Sequence, residues 1–244
     1  MTKIRIDKLL SNLGYGSRQE ITRAVKLGAF AVGDIVYTNA SEKIELDETL
    51  QREGRFMDEP LEPLSSLVMI MHKPVGYVCS TKEHGMLVYD LLPERMRMRN
   101  PILSIAGRLD KESSGMVILS DDGDFVHRLT SPKHKSTKFY EVTTAKPVLT
   151  EDTALFEKGG MILPKEDKPL LPVNTLKLDE CKLRLALQEG RYRQIRFMME
   201  EVGNAVVTLH RYQIGQLQLG DLPEGQFRIL TEAEKEQLFA AAHL

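Results

Sequence analysis

The sequence predicts an α+β protein in two parts, and three observations carry that prediction. Near the N-terminus two short helical patterns run straight into alternating apolar residues, which predicts a small helix–helix–strand module over residues 1–56. Residues 57–66 (Met-Asp-Glu-Pro-Leu-Glu-Pro-Leu-Ser-Ser) are Pro-rich, acidic and aperiodic, and read as a linker. From residue 67 to 244, short apolar runs alternate with turns and brief helices, as expected of one larger domain. A chain of 244 residues can bury a substantial core in such an arrangement.

In the first part, Ile4, Ile6, Leu9, Leu10 and Leu13 fall on one side of a short helix that ends at Gly14. Ser17, with Glu20 three residues on, forms a capping box that opens a second helix through Leu27, closed by Gly28. Phe30, Val32 and Ile35 then alternate as short strands.

In the larger domain, Leu67-Val-Met-Ile-Met71 is a buried strand by composition, its methionines core filling. Pro74 and Gly76 turn the chain into Tyr77–Ser80, which predicts a hairpin-like pair. The arginines of 94–100 suit an RNA path and an exposed loop equally well. Met116–Leu119 reads as a short buried strand, and the acidic turn 121–124 as a cap for a helix over Phe125–Thr130. Phe139–Thr143 and Leu183–Leu187 follow as strands. After the turn at Glu189-Gly190, Ile195, Met198, Met199 and Val202 recur at the spacing of a core-facing helical stripe. Val206–His210 and Gln213–Leu219 read as strands, and a last helix begins near Thr231.

The formal net charge of −2 excludes a protein that coats nucleic acid indiscriminately, but the charge is uneven. Residues 1–30 carry six Lys and Arg against two acids, whereas residues 31–60 carry three against eight. Cys79 and Cys181 lie far apart without a Cys-x-x-Cys motif, so a reducing compartment and no disulfide are expected. No apolar run reaches membrane-spanning length and no signal-peptide pattern opens the chain, so no membrane partner and a cytoplasmic location are expected. His127 and His134 lack metal-site spacing, and the calcium-loop pattern begun at Asp121 does not continue, so no metal is expected.

The stretch richest in chemistry is Ala106-Gly-Arg-Leu-Asp-Lys-Glu-Ser-Ser-Gly115. It sets Asp110 between Arg108 and a small-residue turn, just before a buried strand, which suits a catalytic carboxylate. A loop Asp paired with Arg108, or capping the turn, fits the same spacing. Further on, the basic run Lys133-His-Lys-Ser-Thr-Lys138 leads into a strand bearing Tyr140, a combination suited to a nucleic-acid groove.

Gly107-Arg-Leu-Asp110 with the following Ser-Ser-Gly resembles the signature of the pseudouridine synthases, in particular of the RsuA-type branch that modifies ribosomal RNA. His72-Lys-Pro-Val-Gly-Tyr77, Lys138-Phe-Tyr-Glu-Val142 and Glu189-Gly-Arg-Tyr-Arg-Gln-Ile-Arg196 resemble three further family motifs, in the family's order. The N-terminal module, with Ser17-Arg18 at its second helix, is similar to the small RNA-binding domain of alpha-L type found in many RNA-modifying enzymes. Three positions depart from the pattern. Gly33-Asp34 stands where relatives carry an Asn-Gly turn, Arg193 where they carry His, and Phe197 where they carry a basic residue.

The resemblance implies a catalytic domain on a mixed, mainly antiparallel sheet, and an isomerase that converts a uridine of ribosomal RNA to pseudouridine. Asp110 is the implied nucleophile, attacking either C1′ of the sugar or C6 of the base. Tyr140 would lie against the flipped base, and Arg196 would pair with the carboxylate and hold it ionised. Arg108 would occupy the vacated space in the RNA, with Lys138, Arg191 and Arg193, and Arg18, Lys8 and Arg5 of the small domain, as further RNA contacts. No cofactor is implied, and the expected partner of a monomeric enzyme is ribosomal RNA or an assembling subunit. Small-subunit RNA is the favoured target; large-subunit RNA, or a non-catalytic assembly factor that binds ribosomal RNA, are the alternatives.

Overall fold

The computed structural model describes residues 3–131, 136–164 and 166–244; Lys133, His134 and Lys135 of the basic run lie outside them. The chain forms two units, one reaching to Leu67 and including Leu92–Ser104 and Ser120–Asp122, the other built from Val68–Leu91, Ile105–Leu119 and Gly123 onward.

The first unit contains β1 (Lys3–Arg5), α1 (Ile6–Asn12), α2 (Arg18–Lys26), β2 (Phe30–Val32), β3 (Ile35–Tyr37) and β4 (Lys43–Glu45). These are followed by α3 (Glu48–Glu53), β5 (Gly54–Phe56), β6 (Glu59–Pro60) and α4 (Glu94–Arg97). The capping box forms as expected: Ser17 Oγ accepts from the Glu20 amide while the Glu20 carboxylate accepts from the Ser17 amide. Ile6, Leu10, Ile21, Val25 and Phe30 are buried in the core beneath the two helices. Gly33-Asp34 still makes a two-residue turn, with Gly33 at φ 55° and Val32 opposite Ile35 across the β2–β3 pair.

Several expectations are corrected here. Residues 3–5 are strand, not helix, because Ile4 pairs across to Ile44 of β4. Helix α3 arises from a local cap, the Asp47 carboxylate accepting from the Leu50 amide. Much of the stretch read as linker is folded: Met57 and Asp58 make a turn at positive φ, β6 pairs with β5, and Leu61 is buried. Arg95 bridges Glu59 and Glu62 and lies 4.6 Å from the Tyr15 ring. Arg99 forms a buried ion pair with Asp121, whose other oxygen accepts from the Leu67 amide.

The second unit contains β7 (Val68–Lys73), a 3-10 turn (Val88–Leu91), β8 (Ser104–Ala106), β9 (Ser114–Ser120), α5 (Gly123–Thr130), β10 (Lys138–Thr144) and α6 (Thr150–Lys158). Then come β11 (Asn174–Asp179), β12 (Lys182–Leu187), α7 (Gln194–Glu201), β13 (Val206–Ile214), β14 (Leu217–Gln218), β15 (Phe227–Ile229) and α8 (Glu232–Gln237). Among the described residues β7–β15 form one nine-stranded sheet with the central order β11-β12-β10-β13-β9-β7-β15. Neighbours from β11 to β13 are antiparallel, as are β7 and β15, whereas β13 and β9 run parallel, so the sheet is mixed and mainly antiparallel.

β7 and β9 are buried along nearly their whole length, as their unbroken apolar runs require of strands covered on both faces. Met116 and Ile118 of β9 and Val68 and Ile70 of β7 share one apolar cluster with Phe125 and Leu129 of α5. β7 does not form a hairpin with Tyr77–Ser80. It pairs with β15, while Val78 makes a single bridge to Leu87. The two strands expected over 206–219 are one long β13 and a two-residue β14. That length lets β13 pair with both β10 and β9.

Candidate active site

The loop Gly107–Ser113 joins β8 to β9 and carries Asp110. Its backbone is held from several sides. Arg211 Nη2 donates to the Gly107 carbonyl at 2.8 Å, and the Gly76 amide donates to the Lys111 carbonyl at 2.8 Å. Lys73, fully buried, donates through Nζ to the carbonyls of Ser113 (2.6 Å), Pro74 (2.9 Å) and Lys111 (3.4 Å). Burial pushes the Lys73 ammonium below its ordinary pKa, and the carbonyls facing it make up part of the lost hydration. The Ser113 amide closes the turn on the Asp110 carbonyl at 3.1 Å.

Gly115 shows why the motif ends in glycine. Its φ is +110°, and a Cβ there would stand 2.3 Å from the Arg211 carbonyl oxygen, where β9 meets β13. This close approach brings Arg211 under the loop.

The loop forms one wall of a cleft of about 650 Å³, lined also by Tyr140, Lys138, Arg193 and Arg211. Asp110 is partly exposed to it. Arg196, on the first turn of α7, reaches across with Nε 3.9 Å from Asp110 Oδ2 and Nη2 3.3 Å from the Glu112 carbonyl. The pairing of Arg196 with Glu200 that helical spacing also allows is not the one found among the described residues. Tyr140 lies on β10 opposite Arg211 of β13 and is 8% exposed, and its hydroxyl accepts from Arg211 Nη1 at 3.4 Å. The structure therefore brings together a carboxylate, a cation and an aromatic face from segments far apart in sequence, at the mouth of a pocket able to admit a nucleotide-sized ligand.

The other candidates divide into two groups. Arg108 is exposed at the rim and leans on Glu83 at 3.5 Å. Arg193 adopts a left-handed backbone (φ 51°) at the N-cap of α7 and pairs with Glu112 at 3.5 Å, so Glu112 faces the cleft too. Lys138 points into the cleft and donates to the Ser136 carbonyl; burial, reinforced by Arg211, pushes its ammonium down to about 8. Arg191 is committed elsewhere: it binds Glu189, Glu166 and the carbonyls of Lys168 and Pro169, which leaves it a structural clamp. In the first unit Arg5 and Arg18 both grip the buried Asp7 carboxylate, at 2.9 and 2.7 Å, and together hold it below the usual Asp range against the opposing push of burial. Lys8 is exposed.

Arg211 is the residue that motif reasoning missed. It is 1% exposed, and besides Gly107 and Tyr140 it donates through Nε to the Met116 carbonyl at 2.8 Å. One guanidinium thus ties the Asp110 loop, β9 and the Tyr140 ring into one frame.

Known proteins match this arrangement along the chain. The family model for RNA pseudouridylate synthase matches residues 67–201, and that for the S4 domain matches residues 4–50. The ribosomal small subunit pseudouridine synthase A of Pasteurella multocida is 35% identical over 233 residues, 95% of this chain and 97% of that protein. Its counterpart in Yersinia pestis is 36% identical over 236 residues, covering 95% of this chain and 96% of that protein. A crystal structure of a pseudouridylate synthase superposes with a TM-score of 0.65 at 33% identity, over 96% of this chain and 99% of that one. With this cleft on the mixed sheet and an S4 domain before it, the chain belongs to the RNA pseudouridylate synthase family.

Proposed function

We propose that this enzyme converts one uridine of small-subunit ribosomal RNA to pseudouridine, with Asp110 as the nucleophile. The observation that carries the reading is the Asp110 carboxylate facing Arg196 at 3.9 Å in a cleft that also presents the Tyr140 ring. The names of the full-length relatives support the choice of RNA. The target base leaves its stack and enters the cleft, where Tyr140 lies against its face. Asp110 adds to C1′ or to C6; in either course the N1–C1′ bond breaks, the uracil turns, and C5 bonds to C1′. The proton on C5 leaves and N1 gains one, so the reaction is an isomerisation with no net change of atoms.

In this mechanism Arg196 stabilises the anionic carboxylate before attack, and Arg211 keeps the loop and the ring in register. Arg108, Lys138 and Arg193 line the approach of the RNA strand, and the exposed basic residues of the S4 domain add phosphate contacts. The enzyme acts as a monomer on ribosomal RNA, free or in an assembling subunit, in the cytoplasm. Mapping pseudouridines in both ribosomal RNAs of a strain lacking this protein tests the reading. One site in small-subunit RNA should revert to uridine; a site lost from large-subunit RNA, or none lost, contradicts it.

A further inference from the structure

Of the seven tyrosines and eight phenylalanines, Tyr192 alone is exposed, at 73%, and it stands at the rim of the cleft. A single surface ring would mean little by itself. The construction around it is what asks for an explanation.

The residues flanking Tyr192 are fixed on both sides. On one side the Arg191 guanidinium is saturated by Glu189, Glu166 and two carbonyls, and the Arg191 amide donates to Gln194 Oε1 at 3.3 Å. Buried Gln194 returns a bond from Nε2 to Glu189 at 2.9 Å. On the other side Arg193 is held in the left-handed region, which a residue with a side chain rarely adopts, and is tethered to Glu112. Between these anchors the Tyr192 ring makes no hydrogen bond, ion pair or ring contact among the described residues. A part-buried polar network and a residue in the left-handed region thus fix the backbone on either side of a bare aromatic face beside a pocket. A ring presented that way loses little conformational freedom on contact, and every nucleobase has a face to offer it.

We propose that Tyr192 is a stacking platform for an unpaired base next to the target nucleotide, an RNA contact outside the pocket that receives the target itself. The inference rests on the reading of the cleft as an RNA site. Extrusion of one base exposes the faces of its neighbours, and a rim ring that covers one of them steadies the opened strand.

The chain contains no tryptophan, so Tyr192→Trp places a single indole, excited selectively over the remaining tyrosines, at the rim of the full-length protein. The probe is an unmodified transcript of small-subunit ribosomal RNA. Emission of Tyr192→Trp should be quenched as the transcript saturates the protein. In equilibrium binding with the same transcript, Tyr192→Phe should stay within about twofold of the parent, while Tyr192→Ala and Tyr192→Leu should each bind roughly tenfold more weakly. The slope of affinity against salt should stay unchanged, because no charge is removed.

Unquenched emission at saturation, an Ala variant that binds like the parent, a Leu variant that rescues, or a Phe variant as weak as Ala would each overturn the proposal. Tritium release from C5-labelled transcript, run in parallel, separates this idea from the reaction. The stacking pattern without release by the parent defeats the reaction and leaves the platform; release without the pattern does the reverse.

Discussion

Arg196 Nε lies 3.9 Å from Asp110 Oδ2, close enough for an ion pair and too far for a hydrogen bond, and that nitrogen has no other partner among the described residues. A buried guanidinium N–H left open beside a carboxylate is costly unless it is used in another state of the reaction. Its position sets a cation against the Asp110 carboxylate without a hydrogen bond to either oxygen.

Arg196→Met should therefore lower turnover by roughly a hundredfold or more, and Arg196→Lys by less, since a lysine restores the charge without the planar fork. Single-turnover tritium release at saturating RNA measures both. Parent-like turnover in the Met variant would mean that the ion pair is incidental.

Arg211 should act through structure and catalysis together. Arg211→Met leaves the carbonyls of Gly107 and Met116 without their donor, a loss of about 2–4 kcal/mol of stability. Chemical denaturation should show that drop. Near 4 °C, where the variant still folds, turnover should fall further than RNA binding, because the Asp110 loop and Tyr140 lose their common support. An unchanged unfolding midpoint would refute this role.

Lys138 sets a pH limit. Its ammonium titrates near 8 in the folded protein against an ordinary 10.5, so it loses its charge above about pH 8 while the unfolded chain keeps it. Fold stability from this group thus rises between those values, since the unfolded state then binds the extra proton. RNA capture moves the opposite way: kcat/KM, which reports the free enzyme, should decline as pH passes 8. Lys138→Arg, charged throughout the range, should flatten that decline. A decline that survives in the Arg variant would assign it to another group.

Local signals in the sequence were read well, and long-range ones poorly. The Ser17–Glu20 box, the core stripe on α7 and the buried run of β9 depend on neighbours a few residues apart, and each formed where expected. Asp110, Tyr140 and Arg196 could be picked out because motif resemblance supplied what spacing could not, namely that three distant segments meet. Arg211 was missed because it fell between the two strands expected over 206–219, and its burial depends on Gly115 letting two backbones touch. Arg191 misled for a related reason. A cation inside a motif suggests RNA, but the acids that neutralise it, Glu166 and Glu189, come partly from a separate segment. The sharing of one buried carboxylate, Asp7, by Arg5 and Arg18 was likewise not legible in the sequence, though both side chains stay partly exposed.

The central claim is that the Asp110 carboxylate performs the chemistry, and Asp110→Asn tests it most directly. The amide keeps the size and hydrogen-bonding capacity of the side chain, and the loop is held through its backbone, so the fold should persist. RNA affinity should persist as well, because phosphate contacts come from the cationic residues. The measurement is tritium release from C5-labelled small-subunit ribosomal RNA, beside a binding titration on the same preparation. The account predicts parent-like binding with release below detection; release at the parent rate from the Asn variant would contradict it.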